Sequence, residues 1–129
     1  MNYYRDNFTD YKNARIVVDW TQKLWNNHVR KHPEIKDLSH TSTLIRDALS
    51  KPSLVVEGQK PGDGELIVCY YKEHKRHGND VYYTKVVIGC NKKRLYVKTV
   101  FARWTRYDIA VQEKKYNFKE IFRDSKTYL

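Results

Sequence analysis

The chain has 129 residues, with twenty-five Lys and Arg against fifteen Asp and Glu, a formal charge of +10 at pH 7. At 40% hydrophobic and 14% aromatic residues it is too apolar for a disordered chain, and its length suits one domain around one core. No apolar run approaches the roughly 18 residues of a spanning helix, and "MNYYRDNFTDYKNAR" has no apolar stretch of the kind a secretory leader needs. Cys69 and Cys90 both fall in apolar runs, which suits buried thiols in a reducing compartment. A cytoplasmic protein without a membrane partner is expected.

Residues 1–13 are polar and tyrosine-rich, with no clear period. From about Ala14 to Lys31 the spacing of Val17, Trp20, Leu24 and His28 predicts a helix with one apolar face. Pro33 disfavours helical geometry at His32 and ends it. A second helix is predicted over Ser39 to Ser50, capped by Ser39 or Thr41, with Leu44, Ile45, Ala48 and Leu49 inward and Pro52 beyond its end.

After Pro52, "SLVVEG", "GELIVCYYK", "DVYYTKVVIG" and "RLYVKTVFARW" read as strands. "KPGDG" and "CNKK" suit short connections, and "EHKRHGN" a longer basic loop. Alternation in the last strand puts Leu95, Val97, Thr99 and Phe101 on one face and Tyr96, Lys98 and Val100 on the other. "YNFKEIFRDS" suggests one more short helix, with Phe118, Ile121 and Phe122 inward. The expected architecture is α+β: N-terminal helices packed on a four-stranded antiparallel sheet. It is a single domain over 1–129, divided into a helical part (14–51), the sheet (53–104) and a C-terminal extension (105–129).

A charge excess of this size attracts nucleic acid. His28 and His32 stand one helical turn apart, a spacing also used for zinc. The metalloprotease version needs a Glu directly after the first His, where this chain has Val29, so neither a metal nor another cofactor is expected. RNA cleavage without metal uses these residue types better. Imidazoles move protons near neutral pH, and cations stabilise the charged phosphorane. The candidates are His28, Arg30 and His32 at the helix end, with Lys98 and Thr99 on the last strand. His28 reads equally well as a core-edge histidine, and His32 better as a capping residue. Arg46, Lys75, Arg76 and Arg103, with Tyr71 and Tyr83 as stacking surfaces, are the expected RNA contacts. His74 and His77 read as solvated members of the basic loop.

The order Trp20, "HVRKHPE", an apolar helix ending "ALSKPS", two hairpins and a terminal "VKTVF" resembles nucleases of phages and mobile elements in the barnase–EndoU–colicin–RelE superfamily, over Trp20 to Phe101. With one position fewer between the histidines, it matches their "HI-x-x-RHPE" signature at His28, His32, Pro33 and Glu34, and their last-strand threonine at Thr99. It departs at Val29, Lys31 and Ser53. The resemblance implies N-terminal helices on a four-stranded antiparallel sheet. It also implies a metal-independent RNase or toxin cutting by 2′-hydroxyl transesterification, with RNA and an antitoxin or immunity protein as partners. Two rivals share the same charge: a non-catalytic nucleic-acid-binding module, and a phage-encoded basic protein that docks on an acidic host protein.

Overall fold

The computed structural model describes residues 3–29, 37–59, 64–75, 81–91 and 94–127. The chain opens with an antiparallel hairpin of β1 (Tyr4–Thr9) and β2 (Arg15–Trp20), in which Tyr4 faces Trp20 and Phe8 faces Ile16. Asp10 builds its turn. One carboxylate oxygen accepts the backbone N–H of Lys12 (2.9 Å) and of Ala14 (2.8 Å), while Asn13 takes the left-handed φ of 66°. The other oxygen accepts the buried Tyr70 hydroxyl at 2.8 Å, tying the hairpin to the sheet.

The helix expected from Ala14 to Lys31 is thus overturned in its first half. "RIVVDW" also fits period two: Ile16, Val18 and Trp20 are buried, Val17 is half-buried, and Leu24 of the supposed apolar stripe is 43% exposed. Helical structure begins only at α1 (Gln22–Leu24), where the Leu24 amide donates to the Thr21 hydroxyl, and it continues as a π-helical turn over Trp25–Val29.

The second helix is present as α2 (Leu38–Ser50). Its cap is Asp37, whose carboxylate accepts the His40 amide at 2.7 Å, so neither Ser39 nor Thr41 fills that role. Thr41 is buried within the helix and donates its hydroxyl to the Asp37 carbonyl.

The four expected strands are β3 (Leu54–Gln59), β4 (Leu66–Lys75), β5 (Val81–Asn91) and β6 (Arg94–Trp104). They form the middle of a seven-stranded sheet, ordered β1-β2-β6-β5-β4-β3-β7. All pairs are antiparallel except β2 with β6, which run parallel through Ile16↔Leu95 and Val17↔Tyr96. The tail corrects the reading again. α3 (Arg106–Tyr116) starts in a Thr105–Asp108 capping box and gives way to a left-handed Asn117. The expected tail helix is instead β7 (Lys119–Arg123), paired with β3. Among the described residues the architecture is therefore a seven-stranded mixed sheet with three dispersed helices, not N-terminal helices on a four-stranded sheet.

Both sheet faces are covered. α2 packs Ile45, Ala48 and Leu49 on the first face, against Val55, Tyr70, Val86, Ile88, Val97 and Val100. α3 packs Ile109 on the second, against Leu54, Val56, Cys69, Tyr71 and Tyr83. The thiols of Cys69 and Cys90 are free.

Two irregularities in β6 change which way its side chains point. Lys98 and Thr99 together oppose Val87, and Ala102 and Arg103 together lie between the Lys85↔Phe101 and Tyr83↔Trp104 pairs. Each bulge adds one residue and shifts the alternation. Leu95, Val97, Val100 and Ala102 face α2, while Tyr96, Lys98, Thr99 and Phe101 lie on the second face. The simple alternation expected for this strand is corrected accordingly.

Glu65 locks the first bulge, accepting Tyr96 Oη at 2.5 Å and Lys98 Nζ at 3.0 Å. Gly89 beneath leaves the room for it, since a Cβ there would stand 2.5 Å from Glu65 Oε1 and 2.6 Å from Tyr96 Cζ. Gly89→Ala should therefore push Tyr96 off the carboxylate and cost about 1–3 kcal/mol in denaturant unfolding, the usual range for overpacking. Tyr96→Leu in the same chain should recover part of that loss. Wild-type stability in Gly89→Ala would show that the three-residue contact is not closely packed.

Candidate functional site

The second bulge and the neighbouring strands form a cleft on the α2 face. It measures about 460 Å³ and is lined by His40, Leu44, His74, Tyr82, Thr84, Ala102 and Arg103, a size suited to a small ligand or one nucleotide. Three strands contribute a row across it. His74 on β4 pairs with Tyr82 on β5, and their rings stack at 4.9 Å and 21°. Arg103 on β6 holds its guanidinium 5.4 Å from the Tyr82 ring centre. The bulge opposite Thr84 aims Arg103 here, because unbroken alternation from Ala102 would turn it to the other face. α2 supplies the roof through His40 and Leu44, one turn apart on the flank of its buried stripe.

His74 is held from two sides. Its Nε2 lies 2.9 Å from the hydroxyl of Thr84, a buried residue, so the ring is fixed by stacking on one side and by a hydrogen bond at one nitrogen. Burial, and after it the charge on Lys72, hold the imidazole pKa below its ordinary value, with Asp47 pulling the other way. His74 is therefore neutral at pH 7 and able to accept a proton. Beside it, Arg103 supplies a permanent cation in a flat guanidinium suited to phosphate oxygens.

The residues expected from sequence are dispersed. Lys98 and Thr99 do stand side by side, but on the second face and away from this cleft. The Lys98 charge is paired with Glu65, and the Thr99 hydroxyl oxygen is buried without a hydrogen-bond partner among the described residues. Arg46 is exposed on α2 and lies over Phe8. Tyr71 and Tyr83 are corrected from stacking surfaces to core: both are 0% exposed beneath α3, and Tyr83 donates to Glu73 at 2.9 Å. Arg103 lines the cleft. Arg30, His32 and Arg76 lie outside the described residues, as do the side chains of His28 and Lys75.

His74 was missed because "EHKRHGN" reads as a loop, whereas β4 runs on through Lys75. The signal was available, since continuing the β4–β5 register outward from Tyr71↔Lys85 brings His74 opposite Tyr82. His40 carries no comparable signal in the sequence.

No protein-family model, curated protein or solved structure matches the chain. Among the described residues no group of three or more His, Cys, Asp or Glu is placed to hold a metal ion. None of their helices is long and apolar enough to cross a membrane.

The lowered pKa of His74 has a signed consequence. As pH falls, the unfolded chain takes up its proton first, at about 6.5. The stability carried by the neutral ring is thus complete above that pH and is lost as pH drops toward the folded-state value. An NMR titration should place the His74 midpoint below about 6.5. Thr84→Val keeps the shape, removes the hydroxyl, and should cost about 1 kcal/mol. A midpoint at or above the ordinary value would mean that the ring is not desolvated.

Proposed function

We propose that the protein is a metal-independent RNA endonuclease that cuts by 2′-hydroxyl transesterification in the histidine cleft. One observation carries this reading: two imidazoles, one of them fixed by a ring stack and a hydrogen bond, share a nucleotide-sized cleft with an arginine. His74 removes the 2′-hydroxyl proton through Nδ1, since Nε2 is engaged with Thr84. The 2′-oxygen then attacks phosphorus and the 5′-oxygen departs, taking its proton from His40. Arg103 neutralises the charge that builds on the phosphate. The +10 charge supports an RNA substrate, as does the resemblance to phage and mobile-element nucleases at "HVRKHPE". Lys98 and Thr99 serve the sheet rather than the reaction in this scheme.

A non-catalytic binding module is the second reading. It is favoured by the same stack, because His74, Tyr82 and Arg103 already satisfy one another in part.

Incubation with RNA in excess chelator should yield fragments ending in 2′,3′-cyclic phosphate, and a 2′-deoxy nucleotide on the 5′ side of the scissile bond should prevent cutting there. His74→Gln keeps a partner for Thr84 but cannot shuttle a proton. It should lower the single-turnover rate about 10²–10⁴-fold, the usual worth of a positioned base, with binding of uncleavable RNA nearly unchanged. Salt-sensitive RNA binding with no cleavage would leave the binding module. Cleavage of all-DNA substrate, or full activity in a folded His74→Gln protein, would overturn the mechanism.

A further inference from the structure

On the opposite side of the β6 bulge lies a second concavity, a groove of about 380 Å³ between the end of β6 and α3. Ala102 and Arg103 line both it and the histidine cleft, so the bulge is the wall they share. The groove has the composition of a base-stacking platform. Phe101 and Trp104 form one side, their ring centres 5.0 Å apart, and α3 contributes Tyr107 and Val111 to the other. Tyr107 is 75% exposed and Val111 43%. One turn apart on α3, the two extend the aromatic surface of Phe101 and Trp104 out toward solvent.

The charges around the groove narrow the choice of occupant. The Lys85 ammonium lies behind the aromatic wall, 3.7 Å from the Trp104 ring centre and 5.5 Å from that of Phe101. Arg103 stands at the rim, and Lys114 continues the exposed Tyr107–Val111 stripe of α3. The carboxylate in the lining, Asp108, accepts both the backbone N–H and the hydroxyl of Thr105 in the helix cap. Lys85 is buried and contacts no occupant, so the bordering cations are Arg103 and Lys114, and aromatic surface between them suits bases strung on phosphates better than it suits an apolar peptide.

We propose that this groove binds the nucleotides flanking the scissile phosphate, so that the substrate is single-stranded RNA crossing the β6 bulge at Arg103. The inference rests on the RNA reading of the cleft and adds to it the form of the substrate. Stacking on Tyr107 requires an unpaired base, whereas a duplex keeps its bases stacked on one another.

The test uses the full chain and fully 2′-O-methylated RNA, which lacks the nucleophile. Affinity should rise from a dinucleotide to a hexanucleotide, and a duplex of the same sequence should bind more weakly than the hexanucleotide. Tyr107→Ala should lower hexanucleotide affinity about tenfold, within the range for loss of one stacked base, and Tyr107→Phe should restore it. Tyr107 is exposed, so neither change threatens the fold, and circular dichroism checks this. Cleavable RNA that is still cut, combined with a neutral Tyr107→Ala or equal duplex affinity, would overturn the groove inference and leave the cleft reading standing. Absence of RNA binding at any length would overturn both. Self-association abolished by Tyr107→Ala, without an effect on RNA affinity, would assign the groove to a second copy of the chain and overturn the inference.

Discussion

Burial of β5 on both faces is the constraint on which the rest of the structure depends. From Tyr83 to Gly89 its residues alternate between two cores and all but Val87 are buried. A strand covered on both sides needs two covering layers and a neighbour along each edge. β4 and β6 supply the edges; α2 and α3 supply the layers. Since α2 lies before β3 in the chain and α3 after β6, the helices cannot be grouped at the N-terminus. The β1–β2 hairpin then extends the larger core, where Phe8, Ile16, Val18 and Trp20 join the residues under α2.

The two bulges in β6 convert this layered frame into specific surfaces. A regular strand would have put Lys98 and Thr99 on opposite faces. The first bulge places both on the second face, and Gly89 provides the space in which Glu65, Tyr96 and Lys98 meet. The second bulge, opposite Thr84, sends both Ala102 and Arg103 toward the α2 face and makes Arg103 the edge between cleft and groove. One extra residue at each point has effects that no single substitution would reproduce, because a bulge changes the direction of every side chain after it.

Local signals in the sequence located α2 and β3 to β6. Leu44, Ile45, Ala48 and Leu49 define a helical stripe closed by Pro52, and the β-branched runs after it are separated by polar turns. β2 was not legible in the same way, because Trp20 belongs to two periods at once. Val17, Trp20 and Leu24 fit a helix, while Ile16, Val18 and Trp20 fit a strand. The decision comes from β6, far along the chain, which pairs with Ile16 and Val17 and offers the Val97 carbonyl to Trp20 Nε1 at 3.3 Å. The candidate site followed the same division. Arg103 was legible as a cation on a strand, but its direction depended on a bulge. Tyr71 and Tyr83 were legible as strand aromatics, but their burial depended on α3 docking over them.

Thr84 and Lys85 are the two polar residues that break the apolar pattern of β5, and they sit back to back. A strand shaped only for stability would carry aliphatic side chains at both positions, since burying a hydroxyl or an ammonium costs free energy that its contacts only partly return. Each is placed beneath one of the two concavities. The Thr84 hydroxyl fixes the His74 ring at the floor of the cleft, and the Lys85 ammonium lies behind the aromatic wall of the groove. Departures from the pattern that favours folding concentrate where a protein handles a ligand. Two of them at consecutive positions, each behind its own concavity and joined across one bulge, fit the single extended surface proposed for RNA.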